Sequence, residues 1–287
     1  MAAEASSLDP HTVADLLERF RSAGGDPSRL IMVGGTAGLQ WGLSVPDGHG
    51  GEDLTTSPLR TTDVDFQVDR LNRRPKPQAE IERFAEAVGG HVIWPSMDDA
   101  TPEIARVEIP GHFGPDDDLL VDFLPHVVGL KARDVAKHAE LLEAAASDGN
   151  SVDLRVAHPV HVLLGLVENY LRLPARRNEE TLARIDRMIP VVRQYIRAAA
   201  EAGADREAGP EARRAEHDAR WSMQELLKQS ATARYAEFTR DTGRDLTDAI
   251  PERQDAPVKP RFWEREYPSL GAKIQRRREA AMKRKPE

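Results

Sequence analysis

The sequence predicts an α+β fold, a mixed sheet with helices, followed by an all-helical C-terminal region. Three observations lead there. Before His158-Pro159, short apolar or alternating runs of strand length are interleaved with helical patterns. After it, four segments carry helical periodicity alone. No internal repeat of roughly 20–50 residues is present, which removes solenoids and propellers.

The elements follow in order. Asp9-Pro10 is expected to open a helix, with an acid at the N-cap and proline at the first helical position. Val13, Leu16, Leu17 and Phe20 then recur at helical spacing until Gly24-Gly25. Leu30-Ile31-Met32-Val33 is a short apolar run ending at Gly34-Gly35, a buried strand followed by a tight turn, and residues 37–43 form a brief helix. Residues 46–58 are punctuated by glycine and proline and read as a loop. Val64, Phe66 and Val68 alternate with Asp63, Asp65 and Gln67, a half-buried strand. Residues 78–88 are helical, and 91–94, 104–109, 119–124 and 152–156 are strand candidates. A helix is expected over 132–146, and others over 160–173, 179–200, 211–239 and 261–283. This divides the chain into an α/β domain over 1–158, a helical domain over 159–250 and a basic C-terminal helix or tail over 251–287.

Composition narrows the class. The chain of 287 residues is long enough to bury a core without staples, and its lack of cysteine excludes a disulfide framework, a thiolate zinc site and a cysteine nucleophile. No apolar run approaches the roughly 20 residues of a membrane helix, and the first ten residues lack the regions of a signal peptide, so a cytoplasmic protein is expected. The net charge of −8 is unevenly spread: residues 1–150 hold 26 acidic and 13 basic side chains, residues 151–287 hold 22 and 27. Two halves with different tasks are expected.

Three features could carry chemistry. In Gly34-Gly35-Thr36-Ala37 a strand runs through a glycine turn into a helix start, where backbone N–H groups can approach an anion and Thr36 can add a hydroxyl. In Arg60-Thr61-Thr62-Asp63-Val64-Asp65-Phe66, alternation puts Asp63 and Asp65 on one face of the strand. Carboxylates that close repel unless a divalent cation such as Mg²⁺ lies between them; taken alone, the pair reads rather as two surface acids of a solvated edge strand. In Leu119-Leu120-Val121-Asp122-Phe123-Leu124, one acid sits in an apolar strand and needs a metal, a cation or several donors. If the last two strands are neighbours, three carboxylates converge, the layout of a two-metal phosphoryl-transfer site.

The ordered set resembles the nucleotidyltransferase superfamily, of polymerase-β-like fold. The wording of the segments is similar to the Gly-Gly-x-Ala … Arg-x-Thr-x-Asp-x-Asp pattern of AbiEii-like nucleotidyltransferases, many of them toxins of type IV toxin–antitoxin or abortive-infection systems. The likeness covers about residues 28–130. It implies that Gly34, Gly35 and Thr36 bind nucleotide phosphates. It assigns Asp63 and Asp65 to Mg²⁺ (or Mn²⁺), and makes Asp122 a third metal-binding acid that helps deprotonate the attacking hydroxyl. It further implies an NTP substrate, an acceptor that is RNA such as tRNA or else a protein hydroxyl or a small molecule, and, for a toxin, an antitoxin protein as partner. The interval from Gly35 to Asp63 is longer than in compact members. The helix expected to offer a lysine reads Leu163-Leu164-Gly165-Leu166-Val167-Glu168-Asn169-Tyr170, with none, leaving Arg172, Arg176 or Arg177 as the nearby cations. The alternative is a catalytically inactive binding module of the same fold, acting through a partner.

Other signals are bland. His158 and His161 read as a helix N-terminal histidine and a packed one, and Asp116-Asp117-Asp118 as a solvated turn. Residues 273–287 hold seven basic side chains against two acidic, which suits either a solvated helix or contact with nucleic-acid phosphates. Arg213-Arg214 and Arg220-Trp221 add charge and an aromatic to the same half.

Overall fold

The computed structural model describes residues 8–9, 11–45, 61–69, 76–96, 98, 103–115, 117–204 and 209–284. They form two compact units, the first holding residues up to 44 and from 61 to 181, the second holding residue 45 and those from 182. The predicted loop over 46–58, and Arg60 and Asp116, lie outside the described residues.

The first unit opens with α1 (Thr12–Ser22), which buries Val13, Leu16, Leu17 and Phe20, the stripe its periodicity predicts. The helix starts later than expected. His11 is its N-cap, and Asp9 acts from outside the helix, accepting the His11 N–H at 2.7 Å. The chain continues through β1 (Leu30–Val33), α2 (Gly34–Ser44), β2 (Asp63–Val68), α3 (Pro77–Val88) and β3 (His91–Ile93). Then come β4 (Ala105–Gly114), β5 (Asp117–Leu124), α4 (Ala132–His138), β6 (Glu140–Ala145), β7 (Ser151–Val156) and α5 (Pro159–Arg172). The strands make one mixed sheet in the order β3-β4-β5-β2-β1-β7-β6, with β2–β5 and β1–β7 parallel and the other neighbours antiparallel. The predicted α+β class, a mixed sheet followed by helices, is the architecture found.

Alternation gives the sheet two different faces at its centre. Phe66 of β2 lies opposite Phe123 of β5, and both pack with Phe84 of α3, whose ring is 5.5 Å from that of Phe20 in α1. All four rings are fully buried, each contributing about 1.5–3 kcal/mol of hydrophobic stabilisation. The residues between them, Asp63, Asp65 and Asp122, therefore project from the other face. Trp41 of α2 donates its indole N–H to the carbonyl of Ala157 at 2.8 Å, holding that helix to the end of β7.

Two helices of the sequence reading are corrected. The helix expected over 132–146 stops at His138, and residues 140–145 are the edge strand β6. A run of helix formers is overridden there by antiparallel pairing with β7 through a turn at Gly149, φ +84°. The helix expected over 211–239 is two, α7 (Pro210–Ser230) and α8 (Ala233–Thr242), because the Thr232 hydroxyl caps the second by accepting the Tyr235 N–H at 3.4 Å.

The second unit packs these with α6 (Glu179–Ala204), whose Ile185, Met188, Val192 and Ile196 are buried, and with α9 (Tyr267–Lys283), which follows a π-helical turn over Phe262–Glu266. Arg244 grips Asp186 with two hydrogen bonds of 2.8 Å, and the Tyr195 hydroxyl donates to Asp218 at 2.7 Å. The basic stretch belongs to α9: it buries Ile274 and Ala281, pairs Arg278 with Asp245, and leaves Lys273, Arg276, Arg277 and Lys283 exposed. No helix among the described residues is long and apolar enough to cross a membrane.

Candidate functional site

The candidate residues gather where four elements meet. In the sheet register Arg106 of β4 stands opposite Asp122 of β5, Asp122 opposite Asp65 of β2, and Asp65 opposite Val33 of β1. One row thus runs from a cation through two acids to the last residue before α2.

At the end of that row the chain turns sharply. Gly34 has φ +63°, a left-handed conformation that side chains disfavour, and a β-carbon there would lie 2.0 Å from Oδ2 of Asp65. The helix begins at Gly34 itself, earlier than residue 37, so glycine turn and helix start are one feature. The first N–H groups of a helix lack intrahelical partners, and here they open beside the acid row. Thr36 is buried and donates its hydroxyl to the carbonyl of Asp63 at 2.9 Å, fastening α2 to the start of β2.

Asp63 receives a second hydroxyl, from buried Thr61, on its carboxylate. Asp65 is half-buried as a residue, but its carboxyl is pressed against Gly34 and faces the other acids. Loss of hydration, followed by the charges of Asp63 and Asp122, pushes it up to about 8. Arg176, in the short turn Pro174–Arg176 after α5, pulls the other way. Of the three arginines left open by the sequence, Arg172 is paired with Glu168 at 2.5 Å. Arg177 donates to the carbonyls of Tyr170 and Leu171. Arg176 is exposed, and its charge is felt at Asp65.

Asp122 has a different environment. Arg106 donates Nε to its Oδ1 at 2.6 Å and Nη2 to its Oδ2 at 3.0 Å, and also Nη2 to Glu103 at 3.1 Å. The hydrogen bond to Asp122 raises the guanidinium above its ordinary range. The register therefore brings the three predicted acids to one face, but Asp122 is engaged by arginine. Among the described residues no group of three acidic or histidine side chains surrounds a single point. Asp63 and Asp65 share one strand face, and a divalent cation held by them would offset the neighbouring negative charges that, after loss of hydration, push Asp65 up.

Sequence reasoning missed Arg106. Its signal was a single charge between Ala105 and Val107 in a strand candidate, but which acid it would meet depends on strand order. His158 caps α5, its Nδ1 accepting the Val160 N–H at 3.2 Å, and His161 is buried, its imidazole pushed down to about 3 by desolvation and by His158 and His138. Asp117 and Asp118 begin β5 and are exposed, with Asp118 accepting the Gly111 N–H at 2.9 Å.

No protein-family model matches the chain, and no curated protein matches it. Among solved structures, it is similar to that of the antibiotic-resistance factor ANT(2'')-Ia, over 63% of this chain and 84% of that one, at 16% identity and a TM-score of 0.35.

Proposed function

We propose that the protein is a divalent-cation-dependent nucleotidyltransferase, transferring a nucleotide from an NTP to an acceptor hydroxyl. The observation that carries this is the row in which Asp65 stands between Asp122 and the glycine turn at Gly34, with Asp63 on the same strand face. Asp63 and Asp65 would hold Mg²⁺ or Mn²⁺, which would supply positive charge to offset the charge of the nucleotide phosphates. Gly34 and Gly35 bring backbone N–H groups to those phosphates, Thr36 fixes that turn against β2, and Arg176 supplies a cation. Asp122, the third acid, orients the acceptor and takes its proton as the hydroxyl oxygen attacks the α-phosphorus. The α-phosphorus bond to the bridging oxygen breaks, and pyrophosphate leaves.

The resemblance to AbiEii-like proteins extends this to RNA, tRNA in particular, as the acceptor, and to a toxin held by an antitoxin in the cytoplasm. The exposed cations of α9 are the surface that suits such an acceptor. On this reading the chemistry belongs to residues 1–158, the α/β part that the element pattern of the sequence marks off, with 159–250 as a helical domain and 251–287 as a basic extension. A second reading, an inactive binding module of the same fold, is favoured by one observation: Asp122 is bound by Arg106.

Incubation with each α-labelled NTP, Mg²⁺ and total RNA separates the two. Labelled RNA is expected from the wild-type chain and none from Asp63→Asn or Asp65→Asn. No label with any NTP would leave the binding module, and full activity in either Asn variant would overturn the assignment of those acids.

A further inference from the structure

We propose that Arg106 is the resting counter-ion of Asp122 and competes with a divalent cation for that carboxylate, so that Arg106 sets how tightly the acid cluster takes up metal. This rests on Asp63 and Asp65 being cation ligands.

Three features of the pair carry it. The grip is complete, because Nε and Nη2 each take one oxygen of Asp122, leaving neither free of the arginine. Asp122 is buried, so without a metal its charge requires a fixed partner, and a guanidinium cannot relieve it by giving up its proton. Arg106 is about one-third exposed, 34% of its side chain against 11% for Asp122, and it already donates to a second acid, Glu103. Releasing Asp122 therefore does not strand the arginine: Glu103 retains it at the rim of the sheet while the aspartate turns to the cation. An ion pair that only held β4 to β5 would need no second acceptor at that place. Arg106 is a positioning residue here, acting through Asp122.

The test is Mn²⁺ binding to the full chain without nucleotide, read from the electron paramagnetic resonance signal of free aquo Mn²⁺. Arg106→Gln should bind Mn²⁺ about tenfold more tightly than wild type, the size of effect that coupled neighbouring charges give. Adding Asp122→Asn should erase that gain. Unchanged or weaker binding by folded Arg106→Gln would overturn the proposal. Should that variant fail to fold, wild-type protein suffices: Mg²⁺ should shift the Arg106 Nε–H resonance, and a resonance unmoved at saturating Mg²⁺ counts against it. The Asp63→Asn, Asp65→Asn double variant is the separate control. If it binds Mn²⁺ like wild type, the cation reading of those two acids fails, whatever Arg106 does.

Discussion

At the scale of single residues, Gly34 and Asp65 are coupled, and each makes a prediction about the other. Gly34→Ala meets both a left-handed φ and the Asp65 carboxylate, so it should destabilise the fold by about 1–3 kcal/mol in urea denaturation. In an Asp65→Ala background the carboxylate clash is gone, only the 3.2 Å approach of the residue-65 β-carbon is left, and the cost should fall toward the roughly 1 kcal/mol of backbone strain. Equal costs in both backgrounds would mean that the two do not touch. Asp65 also gives the chain a pH signature. Its carboxyl is raised from 3.8 to about 8 in the fold, so the folded state holds its proton longer than the unfolded chain does. The stability due to that proton is fully present below about pH 4 and is lost as pH rises toward 8, by up to about 1.4 kcal/mol per pH unit. Above that the loss is constant. Asp65→Asn should remove this slope, so the variant gains on the metal-free wild type from pH 4 to 8. A parallel pair of urea midpoints across that range would contradict it.

At the scale of elements, what could be read from the chain was what local periodicity carries. Period-two alternation in 63–68 located β2 and separated Phe66 from Asp63 and Asp65, and the apolar run 30–33 located β1. Strand β6 was hidden because Ala, Glu and Leu favour helix locally, whereas its strand form depends on a partner, β7. The break between α7 and α8 has neither glycine nor proline to announce it, only Thr232 as a cap. The site divides the same way. That Asp63 and Asp65 share one strand face, and that Asp122 sits in an apolar strand, was legible from the strand pattern; that the two strands are neighbours was not. Arg106 was not, because its partner is chosen by sheet register, nor was the sorting of Arg176 from Arg172 and Arg177, which depends on who bonds whom. Gly149 offers an element-level check: φ +84° with no atom near a would-be β-carbon, so Gly149→Ala should cost only about 1 kcal/mol of hairpin strain in thermal unfolding. A cost several times larger would mean that space, not backbone, rules that turn.

At the scale of the whole molecule, the uneven charge noted in the sequence acquires places. Three of the acids of the first 150 residues share one face of the sheet, and the excess of bases in the remainder includes the exposed Lys273, Arg276, Arg277 and Lys283 of α9. If α9 contacts RNA, neutralising these four with glutamine should weaken RNA binding and flatten its dependence on salt, without altering Mn²⁺ uptake at the acid row. The central claim, nucleotidyl transfer at Asp63 and Asp65, is tested most directly by following one NTP with two labels. The account predicts that wild-type protein with Mg²⁺ transfers the α-label to an acceptor and releases the γ-label as pyrophosphate, one for one, and that Asp65→Asn does neither. Transfer of the γ-label, release of it as inorganic phosphate, or undiminished α-label transfer by Asp65→Asn would contradict it.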